Sequence, residues 1–178
     1  MNKIYIGIDP GLSGAIAKIE GNNVEIIPMP VYETENAKKL NLRVLESWFQ
    51  ELDRTTTNIV IEYAAVGGFD FQGRTQGVAS TYKIGFNYGL ILGLLTGLGF
   101  SFDIVASHKW QRHMFPRIKK SGTKTTSIGT AKELYPQVNL IPNRGRVDNH
   151  NWADALLIAE YCRRINSKTH TWEALYGR

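Results

Sequence analysis

An aspartate at the end of an apolar segment is the first residue of this chain whose type and position suit catalysis. Residues 4–9 read Ile-Tyr-Ile-Gly-Ile-Asp, and residues 10–14 read Pro-Gly-Leu-Ser-Gly. The apolar residues predict a buried strand, and the Pro-Gly pair predicts a turn. Burying a carboxylate at such a strand end is costly unless it is paired or binds a cation. Asp9 is therefore either a structurally paired residue or a metal ligand.

A glutamate repeats this arrangement further along the chain. Residues 59–61 read Ile-Val-Ile and are followed by Glu62. If both apolar segments are central strands, the two acids could meet at one edge of the sheet. Taken alone, Glu62 could also be a solvent-exposed strand end, so the pair with Asp9 is more specific than either residue.

A third acid lies where an apolar helical pattern begins. Asp154 precedes the run Ala-Leu-Leu-Ile-Ala, and His150 and Asn151 lie four and three residues before it. These spacings place either side chain beside Asp154 on one face of a helix. Carboxylates are also favoured at helix N-termini, so Asp148 or Asp154 could instead serve as a helix cap.

The patterns around these acids predict a mixed α/β sheet that opens with an antiparallel meander. Pro28 and Pro30 are expected to end this meander. The predicted strands are residues 3–9, 14–20, 23–29, 58–62 and 102–105. The predicted helices are residues 41–53, 75–99, 107–114, 124–135 and 151–164.

The helix predicted over residues 75–99 carries glycines at four-residue intervals. Gly85, Gly89, Gly93 and Gly97 therefore share one helix face. This stripe predicts close packing of the helix on a neighbouring element or on its symmetry mate.

Length, charge and cysteine content limit the classes of protein. A chain of 178 residues suits one domain with a full core. A formal net charge of +5 suits a polyanionic partner. Cys162 is the only cysteine, which excludes an intramolecular disulfide and favours a reducing compartment. We expect no signal peptide, and the longest apolar run, residues 88–100, is too short to span a bilayer.

A stretch without acids is the strongest indication of nucleic-acid binding. Between Asp103 and Glu133 every charged residue is a cation, which suits contacts with phosphates, although a solvated surface is the alternative. A glycine-rich loop after Glu62 holds two aromatics that could stack on an unpaired base or fold back into the core. The predicted DNA-contacting residues are Phe69, Phe71, Arg74, Lys83, Lys109, Arg112, Lys119, Lys120 and Lys124.

Together these residues resemble the RuvC-like Holliday junction resolvases, and phage-borne members in particular. The resemblance rests on Ile-Gly-Ile-Asp-Pro-Gly at residues 6–11, Ile-Glu at residues 61–62 and Ala-Asp-Ala-Leu-Leu-Ile-Ala at residues 153–159. It extends through the glycine-rich helix and the basic segment, and covers roughly residues 3–165.

The resemblance implies an RNase H-like fold, a five-stranded mixed sheet flanked by helices, with one nuclease domain over residues 1–178. It implies an endonuclease in which Asp9, Glu62 and Asp154 hold two Mg²⁺ ions, with Mn²⁺ as a substitute. His150 is the implied fourth ligand and Asp148 its reserve, because family members usually carry Asp, and sometimes His, three or four residues before the last acid. The products would be a 5′-phosphate and a 3′-hydroxyl.

The resemblance also implies a homodimer that cuts a four-way junction symmetrically, with the glycine-striped helix as the candidate interface. It favours a phage-encoded protein that acts in the cytoplasm of a bacterial cell. Three other classes are weighed against it. One is an RNase H-like nuclease for forks or RNA–DNA hybrids, and another is a catalytically silent DNA-binding module. The third is an actin-like or sugar-kinase-like ATPase, which needs a second phosphate loop that this sequence lacks.

Overall fold

A five-stranded mixed sheet forms the centre of the fold. The computed structural model describes residues 2–64, 77–115, 123–142 and 145–176. The strands within these residues are β1 (Ile4–Asp9), β2 (Ala15–Glu20), β3 (Asn23–Pro28), β4 (Val31–Thr34), β5 (Ala37–Leu40), β6 (Thr57–Glu62) and β7 (Phe102–Val105). The main sheet has the order β3-β2-β1-β6-β7, in which β2 and β3 are antiparallel neighbours of the parallel trio β1, β6 and β7. The predicted mixed sheet with an opening meander is confirmed.

Five helices lie in the described part of the chain. They are α1 (Leu42–Gln50), α2 (Val78–Gly97), α3 (Ser107–Met114), α4 (Thr123–Leu134) and α5 (His150–Tyr176). Their order agrees with the prediction, except that α5 continues to Tyr176 rather than ending at residue 164. A membrane-crossing helix is not found among the described residues, because none combines the necessary length and apolar character.

The hairpin formed by β4 and β5 is an element that the sequence patterns do not predict. The hydroxyl of Thr34 donates to the carbonyl of Ala37 at 2.8 Å and accepts from the backbone N–H of Ala37 at 3.1 Å, which closes the turn. β3 does end at Pro28, as expected, but the chain re-enters a strand three residues later. Most side chains of this hairpin are exposed, so it lacks the apolar alternation that reveals strands in a sequence.

Apolar residues cover both faces of the main sheet, since successive side chains of a strand point to opposite faces. Ile6 and Ile8 of β1 lie in the same buried cluster as Ile59 and Ile61 of β6, together with residues of α1 and α2. Val60, at the alternate position, belongs to a second cluster with residues of α3, α4 and α5. The sheet is therefore the middle layer between two groups of helices.

A glycine at the centre of β1 lets α5 approach the sheet closely. A Cβ atom added to Gly7 would lie 2.2 Å from the backbone nitrogen of Ala159 and 2.3 Å from the carbonyl oxygen of Ala155. Both distances are far inside van der Waals contact, so only glycine allows this approach. Because Asp154 directly precedes Ala155 on α5, the contact at Gly7 also sets the position of that acid.

A buried carboxylate fastens α4 to α5. The Glu160 side chain is 2% exposed and accepts hydrogen bonds from Tyr135 Oη (2.6 Å), Arg163 (2.6 and 3.0 Å) and Arg164 (2.7 Å). Burial raises the pKa of Glu160, but the hydrogen bonds from Arg163, Tyr135 and Arg164 outweigh this effect and hold the pKa below its ordinary value. The charge is thus fully compensated, which makes this network structural.

The glycine stripe of α2 does not pack within the described chain. A Cβ atom added to Gly89, Gly93 or Gly97 would meet no described atom within 4 Å. The expectation of close packing on a neighbouring element of the same chain is therefore wrong for these three glycines in the part of the chain that the structure describes. The other expectation, packing of this stripe on a symmetry mate, stays a prediction.

We predict that Gly7→Ala lowers the free energy of unfolding by about 1–3 kcal/mol, because the added methyl group overpacks the contact with α5. Gly129→Ala on α4 is the matched control. An added Cβ there meets no described atom within 4 Å, so alanine should stabilise the helix by about 0.5–1 kcal/mol. Urea denaturation measures both variants. Equal effects of the two substitutions would contradict the close approach at Gly7.

Candidate active site

Asp9 and Glu62 end neighbouring parallel strands at the same edge of the sheet. In the register of β1 with β6, Ile8 lies opposite Ile61, and the two acids are the next residues of their strands. Strand alternation turns Ile8 and Ile61 to one face and the acids to the other, where Val60 packs against α5. The two carboxylates therefore share the α5 side of the sheet.

Asp154 completes a group of three interacting acids. Burial raises the pKa of Asp154 to about 7; a hydrogen bond with Ser127 opposes the shift, while the negative charges of Asp9 and Glu62 increase it. Burial likewise raises the pKa of Asp9 to about 6, and the charge of Glu62 adds to this effect. Desolvation and the nearby like charges both favour protonation of Asp9 and Asp154. The positive charge of Lys124 lowers the pKa of Asp154 but does not cancel these effects.

Each carboxylate has a different set of hydrogen-bond donors. The backbone N–H of Gly11 donates to Asp9 Oδ1 at 3.3 Å. The indole Nε1–H of Trp110 donates to Glu62 Oε1 at 3.1 Å. Among the described residues Asp154 Oδ1 is buried without a hydrogen-bond partner, which is costly for a carboxylate oxygen unless a ligand supplies the missing contact.

The hydroxyl of Ser127 is shared between two acceptors. It lies 3.1 Å from the carbonyl oxygen of Thr123 in the same helix, and it also acts as a hydrogen-bond partner of Asp154. A serine hydroxyl carries one proton and can satisfy only one of these acceptors at a time. The carboxylate of Asp154 is therefore incompletely compensated.

A cleft of about 520 Å³ lies in front of Asp9 and Glu62. Its floor is the turn that follows β1, and one wall is formed by Ser80, Lys83 and Asn87 of α2. The other lining residues are Pro10, Gly11, Leu12, Ser13, Gly14, Tyr63, Ala64, Ile84, Ser107 and Asn151. The cleft is open and polar at the acids, and a cation of α2 lines it, which suits a phosphate group beside the carboxylates.

Asn151 lines the cleft, whereas His150, the fourth metal ligand that the resemblance implies, does not. Asn151 Nδ2 donates to the carbonyl of Ser13 at 2.6 Å, which ties the start of α5 to the turn after β1. His150 lines a neighbouring depression with Asp148 and Asn149; burial, and then the positive charge of Lys124, lower its pKa. Asp148 forms an ion pair with Lys132 at 2.5 Å. The role of His150 as a ligand stays a prediction.

The predicted DNA-contacting cations that are described lie on three helices. Lys83 of α2 lines the cleft, and Lys109 and Arg112 are exposed on α3. Lys124, exposed near the start of α4, influences the pKa values of both Asp154 and His150. Phe69, Phe71, Arg74, Lys119 and Lys120 lie outside the described residues.

Hard divalent cations prefer carboxylate oxygens, and the three acids supply that donor type. The buried Asp154 oxygen without a hydrogen-bond partner among the described residues, and the raised pKa values of Asp9 and Asp154, are also compatible with cation binding. Within the described residues, no three His, Cys, Asp or Glu side chains are already gathered as a ligand set. The residue types at the site therefore suit a divalent ion. The carboxylates influence one another electrostatically, but their described positions do not form a set of metal ligands.

Comparison with known proteins places the fold. No protein-family model matches the sequence, and neither does any curated protein. RuvC of T. thermophilus in complex with a Holliday junction substrate is similar in structure, with a TM-score of 0.55 and 12% sequence identity over 95% of this chain and 97% of that chain. A second Thermus thermophilus RuvC structure has a TM-score of 0.55 and 15% identity over 94% of this chain and 97% of that one. The chain therefore has a RuvC-like, RNase H-like fold, and the predicted fold class is confirmed.

Two contacts of the site are not foreseen from the sequence. Trp110 belongs to a segment noted only for its resemblance, and Ser127 lies in a helix noted only for its basic character. Their contacts with Glu62 and Asp154 span 48 and 27 residues. A buried tryptophan whose indole N–H needs an acceptor is the only available signal, and it does not identify which acceptor.

The raised pKa of Asp9 predicts a pH-dependent loss of stability. The folded-state value of about 6 exceeds the ordinary value of 3.8, so the ionised carboxylate destabilises the fold increasingly as pH rises through this window. Without divalent cations, we expect Asp9→Asn to raise the Tm at pH 8 by roughly 2–6 °C, corresponding to about 1–2 kcal/mol. The difference should shrink as the pH falls and vanish below about pH 3, where the carboxyl group is protonated in both states.

Calorimetry over this pH range measures the effect. The matched control is Glu35→Gln, which removes the same charge from an exposed turn between β4 and β5. A constant Tm difference between Asp9→Asn and the unaltered protein at every pH would contradict the buried, uncompensated state of Asp9.

Proposed function

We propose that this protein is a metal-dependent, structure-specific endonuclease that hydrolyses phosphodiester bonds in branched DNA, with four-way junctions as its main substrate. The observation that supports the proposal is that Asp9 and Glu62 end neighbouring strands of a RuvC-like fold and that their charges raise the pKa of Asp154 on α5. The RuvC neighbour is in complex with a Holliday junction substrate. Because the two sequences are only 12% identical, the similarity to this RuvC structure supports the proposal without establishing it.

Asp9, Glu62 and Asp154 would hold two Mg²⁺ ions, or Mn²⁺ in their place. Such ions, when bound, stabilise the negative charge that builds up on phosphoryl oxygens and lower the pKa of a water molecule. The protein itself supplies the other parts. Trp110 and the backbone N–H of Gly11 orient two of the carboxylates, and Lys83 offers a positive charge on the opposite wall of the cleft.

DNA would follow the exposed cations beside the cleft. Lys83, Lys109, Arg112 and Lys124 are exposed, and these positions suit phosphate contacts that bind DNA without reading its sequence. The predicted aromatics Phe69 and Phe71 follow Glu62 in the chain, and stacking on an unpaired base at the branch point stays part of the proposal.

A homodimer would use the open face of α2. Val78 is 88% exposed, Tyr82 67% and Phe86 53%, and the Tyr82 and Phe86 rings stack at 5.8 Å. The face continues through Gly89 and Gly93, where an added Cβ meets no described atom within 4 Å. Exposed apolar side chains at one end and glycines at the other suit a crossing with the same helix of a second copy. Such a pair would carry two active sites related by a two-fold axis.

We also propose the extent, the origin and the location of this protein. The chain is one nuclease domain over residues 1–178; it is phage-encoded; and it acts in the cytoplasm of a bacterial host. The single cysteine supports a reducing compartment.

Cys162 is buried, and burial raises the pKa of its thiol to about 12, so the thiol is unreactive under ordinary conditions.

Cleavage of a mobile four-way junction tests the proposal directly. With Mg²⁺ we expect paired nicks in two opposed strands, and less cutting of forks, RNA–DNA hybrids and linear duplex. Asp9→Asn should lower the rate about 10³-fold or more, because it removes a carboxylate charge from the reacting centre. Junction binding should be retained or strengthened, because one negative charge facing the phosphates is lost.

Glu35→Gln is the charge-matched control and should cut at the normal rate, since Glu35 is exposed in the hairpin turn. Ordinary turnover by Asp9→Asn would refute the nuclease assignment. If forks or RNA–DNA hybrids were cut faster than junctions, the proposed phosphodiester hydrolysis would stand, but the four-way junction would not be the main substrate. Unpaired nicks would argue against the proposed dimer.

The fourth position of the site can be decided by metal titration. We propose that Asn151 takes this position, because its side chain lines the cleft with Asp9 and Glu62 while His150 lines the adjoining depression. Asn151→Ala should raise the Mg²⁺ concentration for half-maximal cleavage about 10-fold. His150→Ala should leave it nearly unchanged. The reverse pattern would restore the ligand role that the resemblance implies for His150.

A further inference from the structure

The buried Trp110 satisfies its indole N–H on a carboxylate of the candidate site. The side chain is fully buried and packs edge-on against Phe115, with ring centroids 5.7 Å apart and planes at 70°. A phenylalanine would keep this site apolar, though with a smaller ring and no N–H donor. The indole Nε1–H donates to Glu62 Oε1 at 3.1 Å, so the tryptophan joins the core to one of the two acids that line the cleft.

The helix that carries Trp110 has two functional faces. Trp110 and Met114 of α3 point into the core, while Lys109 and Arg112 are exposed. α3 follows β7 after one residue, and Val105 at the end of β7 pairs with Glu62. The strand pairing therefore places the start of α3 next to the end of β6, which is how the indole reaches the glutamate.

We propose that Trp110 is a positioning residue that holds the Glu62 carboxylate in the orientation in which it receives a divalent cation. This inference rests on the proposed function. An indole N–H only donates, so it satisfies one lone pair of the carboxylate and leaves the remaining ones for other partners. A neutral donor also leaves the negative charge of Glu62 intact, whereas a lysine or arginine at this place would compete with the cation. Such outer contacts set ligand orientation and metal affinity.

The same helix would link DNA contact to the metal site. Lys109 precedes Trp110 directly in the chain, so a phosphate bound by Lys109 or Arg112 would restrain the helix that holds Glu62. The backbone of α3 is the mechanical connection between the two faces. Through Trp110, the orientation of the Glu62 carboxylate depends on α3, although the three acids themselves lie on β1, β6 and α5.

Trp110→Phe tests the positioning role, with Phe115→Leu as the matched control. Both substitutions shrink the same buried cluster, but only the first removes a donor to Glu62. We expect both variants to lose stability. Mn²⁺ affinity, measured without DNA by the metal-induced rise in Tm, should fall about 10-fold in Trp110→Phe and stay nearly unchanged in Phe115→Leu. The Mg²⁺ concentration for half-maximal cleavage should shift in parallel, while the KM for junction DNA should not.

A double-mutant cycle with Glu62→Gln separates positioning from packing. If the indole acts through the carboxylate, Trp110→Phe should have no further effect on Mn²⁺ affinity in the Glu62→Gln background, while its effect on Tm persists. Equal Mn²⁺-induced shifts in the unaltered protein and Trp110→Phe, including no shift in either, would overturn the inference. If the unaltered protein cut no branched DNA, the proposed function would be overturned. The Mn²⁺ affinities would still test whether Trp110 positions Glu62, because they are measured without DNA.

Discussion

The close approach of α5 to β1 at Gly7 is the constraint on which the site depends. A side chain at this position would overlap the backbone of Ala155 and Ala159, so glycine alone permits the contact. The acid of α5, Asp154, comes immediately before Ala155 and is carried to the sheet edge by the same packing. Without that approach Asp9 and Glu62 would form a pair of strand-end acids, and the third carboxylate would lie elsewhere.

This packing places three negative charges in one partly desolvated region. Burial and mutual repulsion raise the pKa values of Asp9 and Asp154 to about 6 and 7, and one oxygen of Asp154 has no partner among the described residues. Glu160 on the same helix shows the contrast, because two arginines and a tyrosine compensate it fully. The fold thus compensates Glu160 with two arginines and a tyrosine, whereas Asp9 and Asp154 have too few donors and cations to offset their burial. Perturbed, incompletely compensated carboxylates of this kind are typical of functional sites.

The helices on the α5 side of the sheet contact the acids with their buried faces and carry cations on their exposed faces. α3 turns Trp110 toward Glu62 and exposes Lys109 and Arg112, and α4 contributes both Ser127 and the exposed Lys124. Neutral donors contact the carboxylates directly, while the cations stay at the surface. The carboxylates therefore keep their negative charge while exposed cations lie on the same helices.

The local patterns of the sequence determined the elements and their order, because strand alternation and helical spacing are local properties. They placed Asp9 and Glu62 at strand ends and Asp154 at a helix start. They missed the hairpin of β4 and β5, whose exposed residues carry no apolar pattern. Only the tertiary structure decided that Asn151 lines the cleft while His150 does not, and that Trp110 reaches Glu62. Those choices depend on helix rotation and on contacts between residues far apart in the chain, which no local pattern encodes.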